Sequence, residues 1–177
     1  THMTCRGVDD QPIFLSDLDR DELLALLRKT TERVGWQVLC WCLMTTHYHL
    51  VLHSTRDALS RGLQLLNGRY AQEFNERHGR FGHLFADRFT SRVIDDERYL
   101  FQACRYVVEN PVRAGLCDAP EDWPWTHLRT ELRARLEDAV SRAGGVVVAA
   151  NAPRIAGIGA IAMPGVTSAS QLVQFDL

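Results

Sequence analysis

The chain of 177 residues has a single lysine, Lys29, no two cysteines at CxxC spacing, no net positive charge and no long apolar run. Each shortage excludes something. A membrane-spanning helix needs about 18 to 20 consecutive apolar residues, and even the Gly-, Ala- and Val-rich region from Gly144 to Val166 is broken by Asn151, Pro153, Arg154 and Pro164. No membrane partner is expected. The first residues lack the basic flank and apolar run of a secretory signal, so cytoplasm is the expected location. Cys5, Cys40, Cys42, Cys104 and Cys117 are odd in number and read as reduced thiols serving as small core residues, not as a disulfide framework. Cys40 and Cys42 can share one strand face, but two thiols alone do not make a metal site.

The formal charge of −2 argues against a uniformly basic nucleic-acid binder, although the distribution of charge matters more than its total. Nineteen of the twenty basic residues are arginine. The guanidinium fork suits phosphate, while GC-rich codon usage produces the same bias without function. Between Arg56 and Arg113, ten arginines stand against eight acids, too small an excess to define a DNA surface.

The length suits one compact domain and a tail. Thr1 to Cys5 alternates as a short strand does. Ser16 or Asp17 can cap a helix to about Val34, where Gly35 stops it. Trp36–Leu43 and His47–His53 form a pair of antiparallel strands across a short polar link. From Asp57 to about Arg77, Leu59, Leu63, Leu66, Tyr70 and Phe74 recur at helical spacing, and Gly79 terminates the run. Phe89–Ile94 reads as a strand. Asp95 or Asp96 then caps a helix to about Glu109, which Pro111 should end. Two successive strand-helix-strand halves suit an α+β, ferredoxin-like (RRM-like) antiparallel sheet with helices on one face. The expected organisation is a domain over 1–130, a C-terminal helix over 131–143 and a Gly/Ala-rich tail over 144–177, either flexible or packed as an extended segment.

Two local patterns carry chemistry. His47 and His49 flank Tyr48, so on a strand both imidazoles point to one face and can share a cation. His53 shares that face at the strand's far end and reads as an edge histidine. In the helix from Asp96 to Asn110, Leu100, Phe101, Cys104, Val107 and Val108 form one apolar stripe, while Tyr99, Tyr106 and Asn110 fall nearly opposite. A phenol used for packing belongs on the stripe; two phenols and an amide away from it suit a cleft. Tyr106 and Asn110 are helix neighbours four apart, and an amide oxygen beside two imidazoles suits a hard octahedral cation.

These patterns resemble a family. The run Trp41 to Leu52 with its paired histidines, the segment Gly79 to Phe85 leading into Arg88 and Phe89, the run Arg105 to Gly115, and Glu121 to Trp125 look like the REP-associated tyrosine transposases and their IS200-like relatives, the single-tyrosine HUH transposases. The resemblance covers about residues 1–130. It implies an HUH endonuclease-type fold, Tyr106 as nucleophile, and a divalent ion, Mg2+ or Mn2+, held by His47 and His49 with Asn110 completing the site. It also implies single-stranded DNA beside a hairpin as partner, cut and rejoined through a 5′-phosphotyrosine. Arg69, Arg77, Arg80, Arg88 and Arg113 are the candidate phosphate contacts; Trp123 and Trp125 can stack bases but read first as turn packing. Some family members exchange the tyrosine helix between subunits and others act alone, so monomer and homodimer both stay open. The chain departs from the family at Tyr48, where an aliphatic residue is usual, at His53 and in its tail. A non-cleaving nucleic-acid-binding protein and a metal-dependent hydrolase without a covalent step are the rival readings.

Overall fold

The computed structural model describes residues 1–86, 89–142, 146–148 and 160–162. Strand β1 (His2–Arg6) leads through a short loop to helix α1 (Asp17–Val34), strands β2 (Gln37–Leu43) and β3 (His47–His53), helix α2 (Arg56–His78), strand β4 (Thr90–Arg92), helix α3 (Glu97–Arg113), strand β5 (Thr126–Leu128) and helix α4 (Thr130–Arg142). Two short strands, β6 (Val146–Val148) and β7 (Ala160–Ala162), pair antiparallel in the region expected as a tail, the rest of which lies outside the described residues.

The helix limits follow from local chemistry. Ser16 and Asp19 form a reciprocal capping box at the start of α1, Thr55 caps α2, and Asp96 caps α3 through the Tyr99 amide at 2.6 Å. Gly35 and Gly79 take the left-handed conformation, φ 72° and 60°, that closes α1 and α2. Helix α3 differs from expectation by continuing through Pro111 to Arg113. A proline in the last turn forfeits only its own amide bond, and the end is secured when Ala114 donates to the Asn110 carbonyl and Leu116 to that of Pro111, both at 2.9 Å. Strand β4 is shorter than Phe89–Ile94 suggested, and β5, between the Trp123–Trp125 turn and the C-terminal helix, was not expected.

All five strands of the main sheet pair antiparallel in the order β4-β1-β3-β2-β5. The first four stand in the ferredoxin-like order, and β5 extends the β2 edge. On one face, Met3, Cys5, Tyr48, Leu50 and Leu52 pack with Leu23 and Leu27 of α1 and Leu63, Leu66, Tyr70 and Phe74 of α2. The expectation of helices on one face holds for these two. Helix α3 takes the opposite face, because Cys40, Cys42 and Val51 are apolar there too and need a cover; Ala103, Cys104, Val107 and Val108 supply it. Four of the cysteines are buried and free, as expected of small core residues.

Asp19 locks the first two helices together. Fully buried, it accepts hydrogen bonds from Arg77 Nη1 at 2.6 Å, His78 Nε2 at 2.9 Å and the amides of Leu15 and Ser16 at 2.9 Å. Burial alone would raise its pKa; the bonds from His78, the Leu15 amide, Arg77 and the Ser16 amide overcome that and hold it down at about 2.

Candidate active site

The sheet face beneath α3 collects polar residues of β1, β3 and β4. In the β1–β3 ladder Thr4 stands opposite His49 and Arg6 opposite His47; in the β1–β4 ladder His2 stands opposite Arg92 and Thr4 opposite Thr90. Opposed residues in an antiparallel pair point the same way, so His2, Thr4, His47, His49, Thr90 and Arg92 share one face. Tyr48 points the other way, fully buried, and its hydroxyl donates to Asn67 Oδ1 at 2.5 Å. The aromatic departure at that position is absorbed by the α2 side of the core.

His47 and His49 lie ring to ring, centroids 4.9 Å apart and nearly perpendicular. His49 is 4% exposed. Its Nδ1 is 2.9 Å from Thr4 Oγ1 and 3.2 Å from His2 Nε2, while its Nε2 is buried without a hydrogen-bond partner. With the proton on Nδ1 the ring donates to Thr4 and presents the Nε2 lone pair; His47 is held likewise, Nδ1 3.0 Å from Thr46 Oγ1. Burial pushes the His49 pKa down to about 3, helped by the charges of His47, His2 and Arg6. Burial and then Arg6 lower that of His47, against Asp10; burial and then the N-terminal ammonium lower that of His2. Neutral imidazoles with open lone pairs are what a cation requires.

Leaving a buried nitrogen such as His49 Nε2 unpaired costs about 1–3 kcal/mol, and a divalent ion is a partner of the right chemistry. Among the described residues no cluster of three His, Cys, Asp or Glu is placed to hold a metal, so a third protein ligand must be of another kind. Asn110 offers an amide oxygen. Its Nδ2 donates to the Tyr106 carbonyl at 2.8 Å, which leaves Oδ1 outside that bond; among the described residues no hydrogen bond joins it to the histidines.

Tyr106 comes down from α3 onto His49 and His2. Its ring stands edge-on to His49, centroids 5.8 Å apart, and 5.9 Å from that of His2. The side chain is 39% exposed, open to a substrate from outside. Arg113, one of the expected phosphate contacts, holds its guanidinium 5.0 Å from the Tyr106 ring centroid and 3.6 Å from Glu109.

The remaining expected residues are scattered. Arg69 pairs with Glu73 on α2, Arg77 is committed to Asp19 and Glu22, and Arg80 donates to Gln11 Oε1 at 3.1 Å; all three belong to the α2 side, across the sheet from His49. Arg88 lies outside the described residues. Trp123 donates to the Leu43 carbonyl at 3.0 Å, and both Trp123 and Trp125 flank Arg20, so turn packing is their role. His53 is exposed at the strand end. His2 and Thr4 were not singled out from sequence. The alternation of polar His2 and Thr4 with apolar Met3 and Cys5 was their available signal, but it named no partner strand.

The family described as transposase IS200 like matches residues 1–110, a span that contains the histidine pair, Tyr106 and Asn110. A protein of Haemophilus influenzae named as a REP-associated tyrosine transposase is 20% identical over 127 residues, covering 66% of this chain and 72% of its own. A solved structure described as a REP-associated tyrosine transposase bound to a REP hairpin has the same fold, with a TM-score of 0.58 and 16% identity over 71% of this chain and 73% of that one. With more than half of its length matched, the chain belongs to the IS200-like transposases, a family of DNA-processing enzymes.

Proposed function

We propose that this protein cuts and rejoins single-stranded DNA beside a hairpin, with Tyr106 as the nucleophile and Mg2+ or Mn2+ held by His47, His49 and Asn110. The observation that carries the reading is the Tyr106 ring 5.8 Å from that of His49, whose Nε2 is buried and unpartnered. The hairpin follows the described complex of the structural relative. The reaction takes place on DNA in the cytoplasm.

In the cutting step the Tyr106 phenol gives up its proton and its oxygen attacks the scissile phosphorus. The P–Oη bond forms, the P–O3′ bond breaks, and the departing oxygen takes a proton to become a free 3′-hydroxyl. The 5′-phosphotyrosine keeps the energy of a phosphate ester, so a 3′-hydroxyl attacking it rejoins strands without nucleotide hydrolysis. A divalent cation supplies positive charge against the phosphate oxygens, where a neutral phenol needs help most. The buried imidazoles stay neutral to receive it, and Thr4 and Thr46 fix the ring nitrogens that do not bind. Arg113 borders the Tyr106 ring and offers the strand a charge-assisted contact. Because His47, His49 and Tyr106 lie on one face of one chain, a single copy carries the nucleophile and both imidazoles.

The test is incubation with labelled hairpin DNA and Mn2+, followed by denaturing electrophoresis. A protein–DNA adduct lost in Tyr106→Phe supports the proposal. Cleavage without adduct would make the protein a hydrolase, and retention without cleavage a binder; either result overturns it.

A further inference from the structure

Helix α3 does not cover the whole polar face of the sheet. Between it and the β1–β4 edge a cleft of about 420 Å³ runs away from Tyr106. Its floor is made by the short side chains of Thr4 and Thr90, which face each other across the ladder. Its wall is one stripe of α3, in which Tyr99, Gln102 and Tyr106 follow at spacings of three and four and therefore stack along the helix surface. At the far end, the Arg92 guanidinium sits 4.5 Å from the Tyr99 ring centroid. A second hollow shares Arg92, Tyr99 and Gln102 with this cleft and is lined by Asp95, Asp96 and Arg98 as well.

These groups together select an occupant. Two phenol rings on one wall suit a flat, aromatic guest, the low floor leaves it room, and a cation at the end suits a phosphate attached to it. Among the described residues no hydrogen bond engages the Gln102 amide, which presents a donor and an acceptor side by side. Gln pairs in this two-pronged way with adenine, through its exocyclic amine and ring nitrogen. A purely apolar guest finds no partner for Arg92 or Gln102.

We propose that this cleft holds the base of the nucleotide on the 3′ side of the cut, the one that stays tethered to Tyr106 through its 5′-phosphate, with Tyr99 as the stacking residue and Gln102 selecting adenine. This rests on the proposed cutting reaction for which nucleotide is held, but not for the pocket itself. The nucleotide in question cannot leave Tyr106 between cutting and rejoining, and the cleft opens directly beside that ring.

Two measurements test it. In the first, Tyr106→Phe binds fluorescein-labelled eight-base single strands of dA, dC or dT without chemistry, read by anisotropy. The dA strand should bind about tenfold more tightly, a preference lost in Tyr106→Phe/Gln102→Ala, with all three strands weakened by Tyr99→Ala. Equal affinities, or a preference untouched by Gln102→Ala, would overturn the pocket. In the second, the unmodified protein cuts a hairpin library randomised on both flanks, and the tethered strands are sequenced. Adenine should be enriched at the first tethered position, but not in Gln102→Ala; enrichment only on the 5′ side of the cut overturns the assignment. An absence of any adduct removes the cutting reaction and the tethered position together, while the binding measurement still decides the pocket.

Discussion

Thr4 and His49 face each other across the β1–β3 ladder, with the threonine hydroxyl 2.9 Å from His49 Nδ1. The contact orients a ring whose other nitrogen is buried and unpartnered. Second contacts of this kind typically hold about 10- to 100-fold in metal affinity. Thr4→Val, close in shape but unable to accept the Nδ1 proton, should therefore weaken Mn2+ binding about tenfold by calorimetry, with Thr4→Ser restoring most of it. Unchanged affinity in Thr4→Val would show that His2 and packing, not the threonine hydroxyl, hold the ring.

Tyr106→Phe should abolish the covalent adduct while leaving the fold intact. The side chain is 39% exposed and its ring contacts survive the change, so the shift in stability should stay within about 0.5 kcal/mol. Thermal unfolding and adduct formation measured on the same preparation separate the two effects.

Asn110→Ala removes the proposed amide ligand and the bond from its Nδ2 to the Tyr106 carbonyl. Mn2+ affinity should fall by about tenfold or more, and Asn110→Gln, one methylene longer, should recover part of it. If neither variant alters Mn2+ binding, the third ligand lies elsewhere.

Asp19 predicts a pH dependence of folding. Its carboxyl is held at about 2 in the folded chain, below the ordinary carboxylate range. A depressed folded value means that the unfolded chain takes up the proton first, so the stabilisation is complete above about pH 4 and disappears as pH falls toward 2. A shift of this size is worth about 2 kcal/mol for a fully buried group. Denaturant titrations between pH 6 and 2 should show that loss, and Asp19→Asn should flatten it while lowering stability at neutral pH.

Short-range chemistry explains what could be read before any fold was known. Ser16, Gly35, Gly79 and Asp96 act within one helical turn, so α1, α2 and the start of α3 lay close to where they were expected. The same holds for the His47–His49 pair, which needs only strand alternation, and for Tyr106, which needs only a helical wheel. Pro111 misled because the cost of a proline depends on how many bonds remain beyond it. Arg77 misled because its charge is consumed by Asp19, fifty-eight positions earlier and buried only when α1 and α2 pack.

From the residue order alone came helices α1 to α3, strands β1 to β3, the shared side of the two imidazoles and the isolation of Tyr106 from the apolar stripe of its helix, since each depends on neighbours a few positions apart. Only the packed chain decided that α3 crosses to the second face of the sheet, that Thr4 reaches His49 and that Arg92 closes the cleft beside Tyr99. Those depend on the pairing of β1 with β3 and β4, contacts between segments separated by most of the domain, and local propensity carries no record of them.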